Sequence, residues 1–302
     1  MRKASLYLIG VSLTTVVAGT ATGLFSLYHF QNYAAYGLLA NLVAVPIIGF
    51  IVMPFIVLCY FFLAVGAESI VLPIIEWGVG WVMATAYWVS SLDGAVWHMA
   101  SFPKWIFIGI VICLWWGVIV KGRAKLFSLP VLLILIALIP FQRQADIQIA
   151  RQLDLIAVRD DGQNLWFSTG RKERFVADNW QRLNGRADDK KLIWPKEGSF
   201  GDFPLRCDYD ACRGEINGRK VCITKTKQGI LEDCLWADLL ISKEPVRDKG
   251  CNANHVIDRF DIWRKGAQAI WLSPNKIEVK TVEGQRGKRP WAQISANRKS
   301  KL

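Results

Sequence analysis

From residue 4 to residue 67 the chain contains no Asp, Glu, Lys or Arg, and between Ala4 and Val120 only Glu68, Glu76, Asp93 and Lys104 are charged. A water-soluble domain of this length needs charged side chains to hydrate its surface. A bilayer-spanning helix instead takes about 20 mainly apolar residues, so the stretch has room for several crossings. The amino-terminal part reads as an integral membrane domain.

The composition inverts after Phe141. From Arg143 onward there are 31 Lys and Arg against 22 Asp and Glu, which leaves +9 of the whole-chain +12 in the last 160 residues. A segment of that size can bury a core of its own. The expected organisation is a transmembrane domain over residues 1–142, a soluble α/β domain over 143–283, and a basic, flexible tail over 284–302.

Five spans are expected, at residues 6–27, 36–65, 70–90, 105–120 and 126–141. The first is rich in Thr14, Thr15, Ala18, Gly19, Ala21 and Gly23, small residues that let membrane helices approach closely. The second contains Pro46 and Pro54, each of which removes a helical hydrogen bond. It is either a broken helix lining a pathway, where protein or water covers the freed backbone, or a kinked ordinary helix. The last two spans are short. Flanking Lys104, Lys121 and Lys125 snorkel to the interface, or the final segment only dips into the bilayer. Arg2, Lys3, Lys121, Arg123 and Lys125 lie in loops that, with five crossings, fall on the cytoplasmic side and put the charged domain outside.

Five of the seven Cys lie in the charged domain, at Cys207, Cys212, Cys222, Cys234 and Cys251. Disulfides fit an exported domain; five thiols leave one unpaired, and sequence does not choose the pairing. Zinc at the C-x4-C pair and buried free thiols are the competing readings. Alternation on either side of Asp160-Asp161-Gly162 predicts a hairpin, residues 172–183 have helical periodicity up to Gly185, and strands fit 220–225, 237–242 and 269–272.

The run TGLFSLYHFQNYAAYGLLANLVAVPIIGF from Thr22 to Phe50, followed by Val52-Met53-Pro54, resembles the competence domain of ComEC-type DNA-uptake proteins. Downstream, LDLIAVRDDGQNLWFSTGRKERFVADNW, RCDYDACRGEINGRKVCIT, EDCLWADLLIS and VIDRFDIWRKGAQAIWL with Arg289-Pro290-Trp291 are similar to the carboxy-terminal domain of alphaproteobacterial members. The resemblance implies a multi-pass inner-membrane protein that passes single-stranded transforming DNA into the cytoplasm. It also implies a periplasmic carboxy-terminal domain of the metallo-β-lactamase type. Family members are longer, so the chain is expected to be a carboxy-terminal piece that works with itself, with a separately encoded amino-terminal half or with other competence proteins. The dense His cluster of the metallo-β-lactamase fold is lacking: the three His stand apart at 29, 98 and 255. The domain is therefore expected to be degenerate, with no metal site and no nuclease action. No nucleotide-binding loop or nucleophile elbow occurs, and no cofactor is implied.

Candidate path residues are Asn41, Pro46, Pro54 and His29. Asn41 is a polar side chain in an apolar helix, which either a neighbouring helix or a pathway satisfies. His29, beside Tyr28 and Phe30, fits an aromatic interface belt as well as DNA contact. In the soluble domain Arg259, Trp263, Arg264 and Lys265 interleave charge with an aromatic ring, as a strand-binding surface does. An ordinary amphipathic helix would look alike, and Asp258 and Asp261 dilute the patch. Two functions follow: part of a DNA-translocation channel, or a truncated, vestigial membrane anchor for the soluble domain that transports nothing.

Overall fold

The structure is a computed structural model that describes residues 2–246, 251 and 253–287. The chain divides into two compact units, Met1–Gln142 with Arg182–Ala187, and Arg143–Gln181 with Asp188–Leu302. The tail expected over residues 284–302 lies outside the described residues from 288 onward, as do Arg289-Pro290-Trp291.

In the first unit, α1 (Arg2–Phe30) leads through β1 (Asn32–Ala34) to α2 (Gly37–Ile47), a π-helical turn (Ile48–Val52) and α3 (Met53–Leu63). A 3-10 turn (Glu68–Ile70), α4 (Leu72–Ser90), β2 (Val96–His98), α5 (Lys104–Ile119), a second 3-10 turn (Arg123–Phe127) and α6 (Ser128–Ala137) follow. Two of these stretches, Gly37–Leu63 and Glu68–Ser90, are long and apolar enough to cross a membrane. Neither resembles a core helix, because Phe50, Tyr60, Phe61, Trp77 and Tyr87 are all more than half exposed.

Of the two readings of the second span, the structure has the unbroken one. The backbone runs helically from Gly37 to Leu63, and the irregularity is the π turn between Pro46 and Pro54. Pro54 has no N–H for the carbonyl four residues back, and its ring would collide there. Widening the preceding turn relieves both problems, with the Met53 amide donating to the Ile48 carbonyl, five residues back. The fifth expected span is also shorter than residues 126–141: α6 has ten residues, or about 15 Å at 1.5 Å per residue.

Small residues set the helix contacts. A Cβ at Gly78 of α4 would come within 2.9 Å of Val52 in the π turn, and one at Gly109 of α5 within 2.9 Å of Leu135 in α6. Phe102, Ile106 and Ile110 form a buried cluster with Leu24 and Tyr28 of α1 and Leu132 of α6. β1 and β2 pair antiparallel, with His98 Nδ1 2.7 Å from Asn32 Oδ1.

The second unit is a four-layer sandwich. Its strands are β3 (Ile147–Ile149), β4 (Ile156–Arg159), β5 (Leu165–Phe167), β6 (Leu192–Ile193), β7 (Leu205–Cys207), β8 (Ala211–Ile216), β9 (Arg219–Thr224), β10 (Leu239–Ser242), β11 (His255–Ile257), β12 (Gln268–Ser273) and β13 (Lys276–Thr281). Its helices are α7 (Arg174–Leu183), α8 (Lys227–Asp233), α9 (Arg259–Lys265) and α10 (Val282–Arg286). A six-stranded sheet has the order β13-β12-β3-β4-β5-β6, and a five-stranded sheet the order β11-β10-β9-β8-β7. Ile147, Val158 and Ile270 of the first meet Leu205, Val221, Leu239 and Ile241 of the second in the central core. Leu155, Ala157 and Phe167 turn the other way onto Ala177 of α7, while Cys222 and Leu240 turn onto Ile230 of α8. β4 and β10 are buried at every position, as strands covered on both faces must be.

The expected hairpin forms, with Ala157 opposite Phe167. Asp160 closes its turn by accepting from the Asn164 amide at 2.7 Å and Trp166 Nε1 at 2.9 Å. Cys207 is bonded to Cys212 across the β7–β8 hairpin and Cys234 to Cys251, while Cys222 is free. The hairpin is tied to α8 by Arg213. Its guanidinium donates to buried Asp233 at 2.5 Å and to Asp208, and reaches Glu232 at 3.3 Å. The Cys222 thiol donates to the other Asp233 oxygen at 3.0 Å. Burial, then Asp233, pushes that thiol far above its ordinary range and keeps it a neutral donor. The hydrogen bond to Asp233 raises the Arg213 guanidinium further.

Burial alone would raise the Asp208 carboxyl, but the Ala211 and Asp210 amides and Arg213 outweigh it, so the group titrates below its ordinary value. A depressed carboxylate contributes stability that is complete above its unfolded value, near pH 4, and lost as pH falls through the lower native value. Asp208→Asn should therefore flatten the loss of stability below about pH 4, read as the thermal unfolding midpoint of the full chain in detergent. An unchanged acid limb would show that Asp208 has no such role.

Candidate functional site

The sequence-predicted path residues do not converge on one place. His29 closes α1 in an aromatic cluster, its ring 4.9 Å from Tyr28 and 6.1 Å from Phe107. Pro46 and Pro54 bracket the π turn. Asn41 alone among them lines a cleft of about 440 Å³, which runs between α1 and α2 under the β1 segment.

The cleft wall is polar for so apolar a region. Thr15, Gly19, Thr22, Gly23 and Ser26 of α1 line it, spaced three or four apart and so on one face of the helix. Thr20, also in the lining, donates its hydroxyl to the Val16 carbonyl at 2.7 Å, and Thr22 donates to Ala18 at 2.7 Å. These back-bonds satisfy the hydroxyl protons and leave oxygen lone pairs toward the cleft. Asn41 differs: its amide is exposed and makes no hydrogen bond among the described residues. Two N–H donors and one carbonyl acceptor thus stand open in the cleft, one helical turn past the start of α2.

Tyr33 forms the roof. A Cβ at Gly23 would come within 2.5 Å of the Tyr33 ring, so glycine is what lets the ring pack closely on α1. The α1 stripe was legible as a run of small residues suited to close helix approach; that the same residues bound an open cleft was not, because the other wall comes from β1 and α2.

In the second unit α9 collects Arg259, Trp263, Arg264 and Lys265. Asp258 caps it, accepting from Phe260 N at 2.8 Å and Asp261 N at 3.0 Å. Ile262 points into the core and Trp263 is 39% exposed. Asp261 engages Lys265 at 2.9 Å and Arg264 at 3.9 Å. Two of the three cations thus share a carboxylate within the helix, which weakens the strand-binding reading of this patch. The five Cys are structural in position: four are bonded, and Cys222 is buried. Among the described residues no group of three or more His, Cys, Asp and Glu is placed to hold a metal ion.

Replacing Gly23 by Val should drive Tyr33 off α1 at a cost of about 1–3 kcal/mol, lowering the thermal midpoint of the detergent-solubilised chain; an unchanged midpoint would mean the Tyr33 roof is not held closed.

Residues 1–124 match a protein-family model described as Competence protein. No curated protein and no solved structure matches the chain.

Proposed function

We propose that the first unit forms part of an inner-membrane path by which a single DNA strand enters the cell during natural competence, with the α1–α2 cleft as a wall of that path. The observation that carries the reading is the unpartnered Asn41 amide in a cleft lined by hydroxyls, inside the segment that matches the Competence family. An amide in hydrocarbon is costly unless it has a partner. A translocating strand supplies acceptors and donors along its whole length, and so does water in a channel.

The membrane setting is supported by two helices of spanning length and by the exposed aromatic and aliphatic side chains on them. α6 and the 3-10 turn before it run without interruption over 15 residues, or about 25 Å at about 2.0 and 1.5 Å per residue. Lys121 and Lys125 at its start can snorkel to the interface, which supports reading this stretch as a fifth crossing of a core about 30 Å thick. With five crossings and the basic loops inside, the sheet unit would lie in the periplasm. Its two disulfides support the same side, since they persist in oxidising compartments. The four-layer order of helix, sheet, sheet and helix supports kinship with the metallo-β-lactamase fold, here without its metal residues. The Cys, Arg259, Trp263, Arg264 and Lys265 then serve the fold and surface of that domain, and the partners are the strand, the membrane and a second copy or another chain covering the open helix faces.

Asn41→Leu keeps the size and removes the amide. It should reduce transformation frequency at least about tenfold at equal membrane levels of the protein, while Asn41→Gln retains most of it; tenfold corresponds to about 1.4 kcal/mol, one charge-free hydrogen bond. Full uptake by Asn41→Leu would favour the anchor without transport.

A further inference from the structure

A groove of about 430 Å³ lies between α1 and α5 and has no part in the proposed uptake path. Leu24 and Phe25 of α1 and Leu114, Trp115, Val118 and Ile119 of α5 line it. It is open: Phe25 is 49% exposed and Val118 85%. In the bilayer setting proposed above, such a groove faces hydrocarbon, and its size and walls decide what fills it.

From Val111 to Ile119 the lining follows α5 for about 12 Å at 1.5 Å per residue. A neighbouring helix, about 10–12 Å across, would occupy on the order of 1,000 Å³ over that length, more than twice the groove. A helix seam also calls for small residues that let backbones approach, and apart from Ala21 these walls are bulky. A single extended acyl chain lying along α5 suits the space. The chain alone confers little selectivity, because the lipid it leaves is as apolar as the groove it enters. Any preference among lipids has to come from the headgroup end.

That end is built. Lys121, Arg123 and Lys125 begin two residues past Ile119, all three exposed and without an ion pair among the described residues. Trp116 Nε1 donates to the Ala124 carbonyl at 3.1 Å, and Ser128 Oγ to the Lys125 carbonyl at 2.8 Å, so the basic turn is folded against the end of α5. No Asp or Glu occurs between Asp93 and Asp146. The carbonyl end of α5 offsets about half a charge, which leaves more than two positive charges uncompensated. The Trp115 indole, one turn deeper, makes no hydrogen bond among the described residues and has its N–H to give. An acidic phosphate on top of an apolar tail matches both parts; a zwitterionic headgroup carries its own cation and neutralises less.

We propose that an anionic phospholipid binds here, one acyl chain lying in the α1–α5 groove and its headgroup phosphate at Lys121, Arg123 and Lys125. The inference rests on the membrane reading of the helical unit and is independent of the α1–α2 cleft.

Native mass spectrometry of the full chain in a non-ionic detergent resolves the first lipid bound. Attraction near a surface cation is worth about fivefold in affinity, so dioleoylphosphatidylglycerol should bind at least about tenfold more tightly than dioleoylphosphatidylcholine. Lys121→Gln, Arg123→Gln and Lys125→Gln together should abolish that preference and leave phosphatidylcholine binding unchanged. Ala21→Phe with Val118→Phe, both at exposed positions, fills the groove without altering the charge and should weaken phosphatidylglycerol binding at least about tenfold. Unchanged affinity in this groove variant would mean that the cations attract lipid without a seat for its chain, and would overturn the proposal. So would equal affinity of the native chain for the two lipids, binding of glycerol 3-phosphate as tight as that of phosphatidylglycerol, or a dimer that excludes the lipid, which would put a second copy in the groove. Failure of the membrane reading has a different signature: the chain would stay in solution after detergent removal and associate with neither lipid.

Discussion

Between residues 4 and 67 no ionic group is present to hydrate or pair with anything, so every polar atom there has to be satisfied by the helices themselves or by what enters between them. The helical unit is arranged around that demand. Thr14, Thr20 and Thr22 return their hydroxyls to carbonyls four residues back. The π turn absorbs the donor that Pro54 lacks. Tyr36 places its hydroxyl on the Asp93 carbonyl at 3.1 Å. Against that background the Asn41 amide stands out: it makes no hydrogen bond among the described residues, and it lies where the fold leaves a gap. In the proposed membrane setting, the gap has to hold water, a strand or a helix from another chain.

The sheet unit solves a different problem. Two sheets share one core, and each buries its second face under a helix, so every position of β4 and β10 is buried. Edges and hairpins then need separate ties. The Cys207–Cys212 bond closes the β7–β8 hairpin, and Arg213 with Asp233 anchors it to α8. Asp233 is buried, so removing Arg213 would leave its carboxylate without the guanidinium that pairs with it.

Much of this was legible in the chain. The charge-free run announced apolar helices, and the Asp160-Asp161-Gly162 turn announced its hairpin, because both signals are local. The prolines marked an irregular helix but not its kind: sequence shows a missing donor, and only the neighbouring backbone shows whether the helix breaks or widens by one residue. The shortening of α6 was hidden because an apolar run looks the same whether α-helical or opened by a 3-10 turn. Strands of two or three residues such as β6, β7 and β11 give no period to read. The α1–α5 groove was invisible for a different reason: Leu24 and Leu114 are far apart in sequence and line one groove only when the two helices pack.

The most direct measurement places a photo-crosslinking amino acid at Thr20 or Leu38 in the cleft, and at Trp115 on α5 as a comparison, in cells taking up end-labelled DNA. Both cleft positions line the gap that holds Asn41, whereas Trp115 lies in a separate apolar groove. Crosslinks to single-stranded DNA from Thr20 and Leu38 but not from Trp115 are the predicted result. Crosslinks to protein alone from the cleft, with DNA uptake unimpaired, would mean the gap is filled by another helix and would contradict the account of it as a wall of the path.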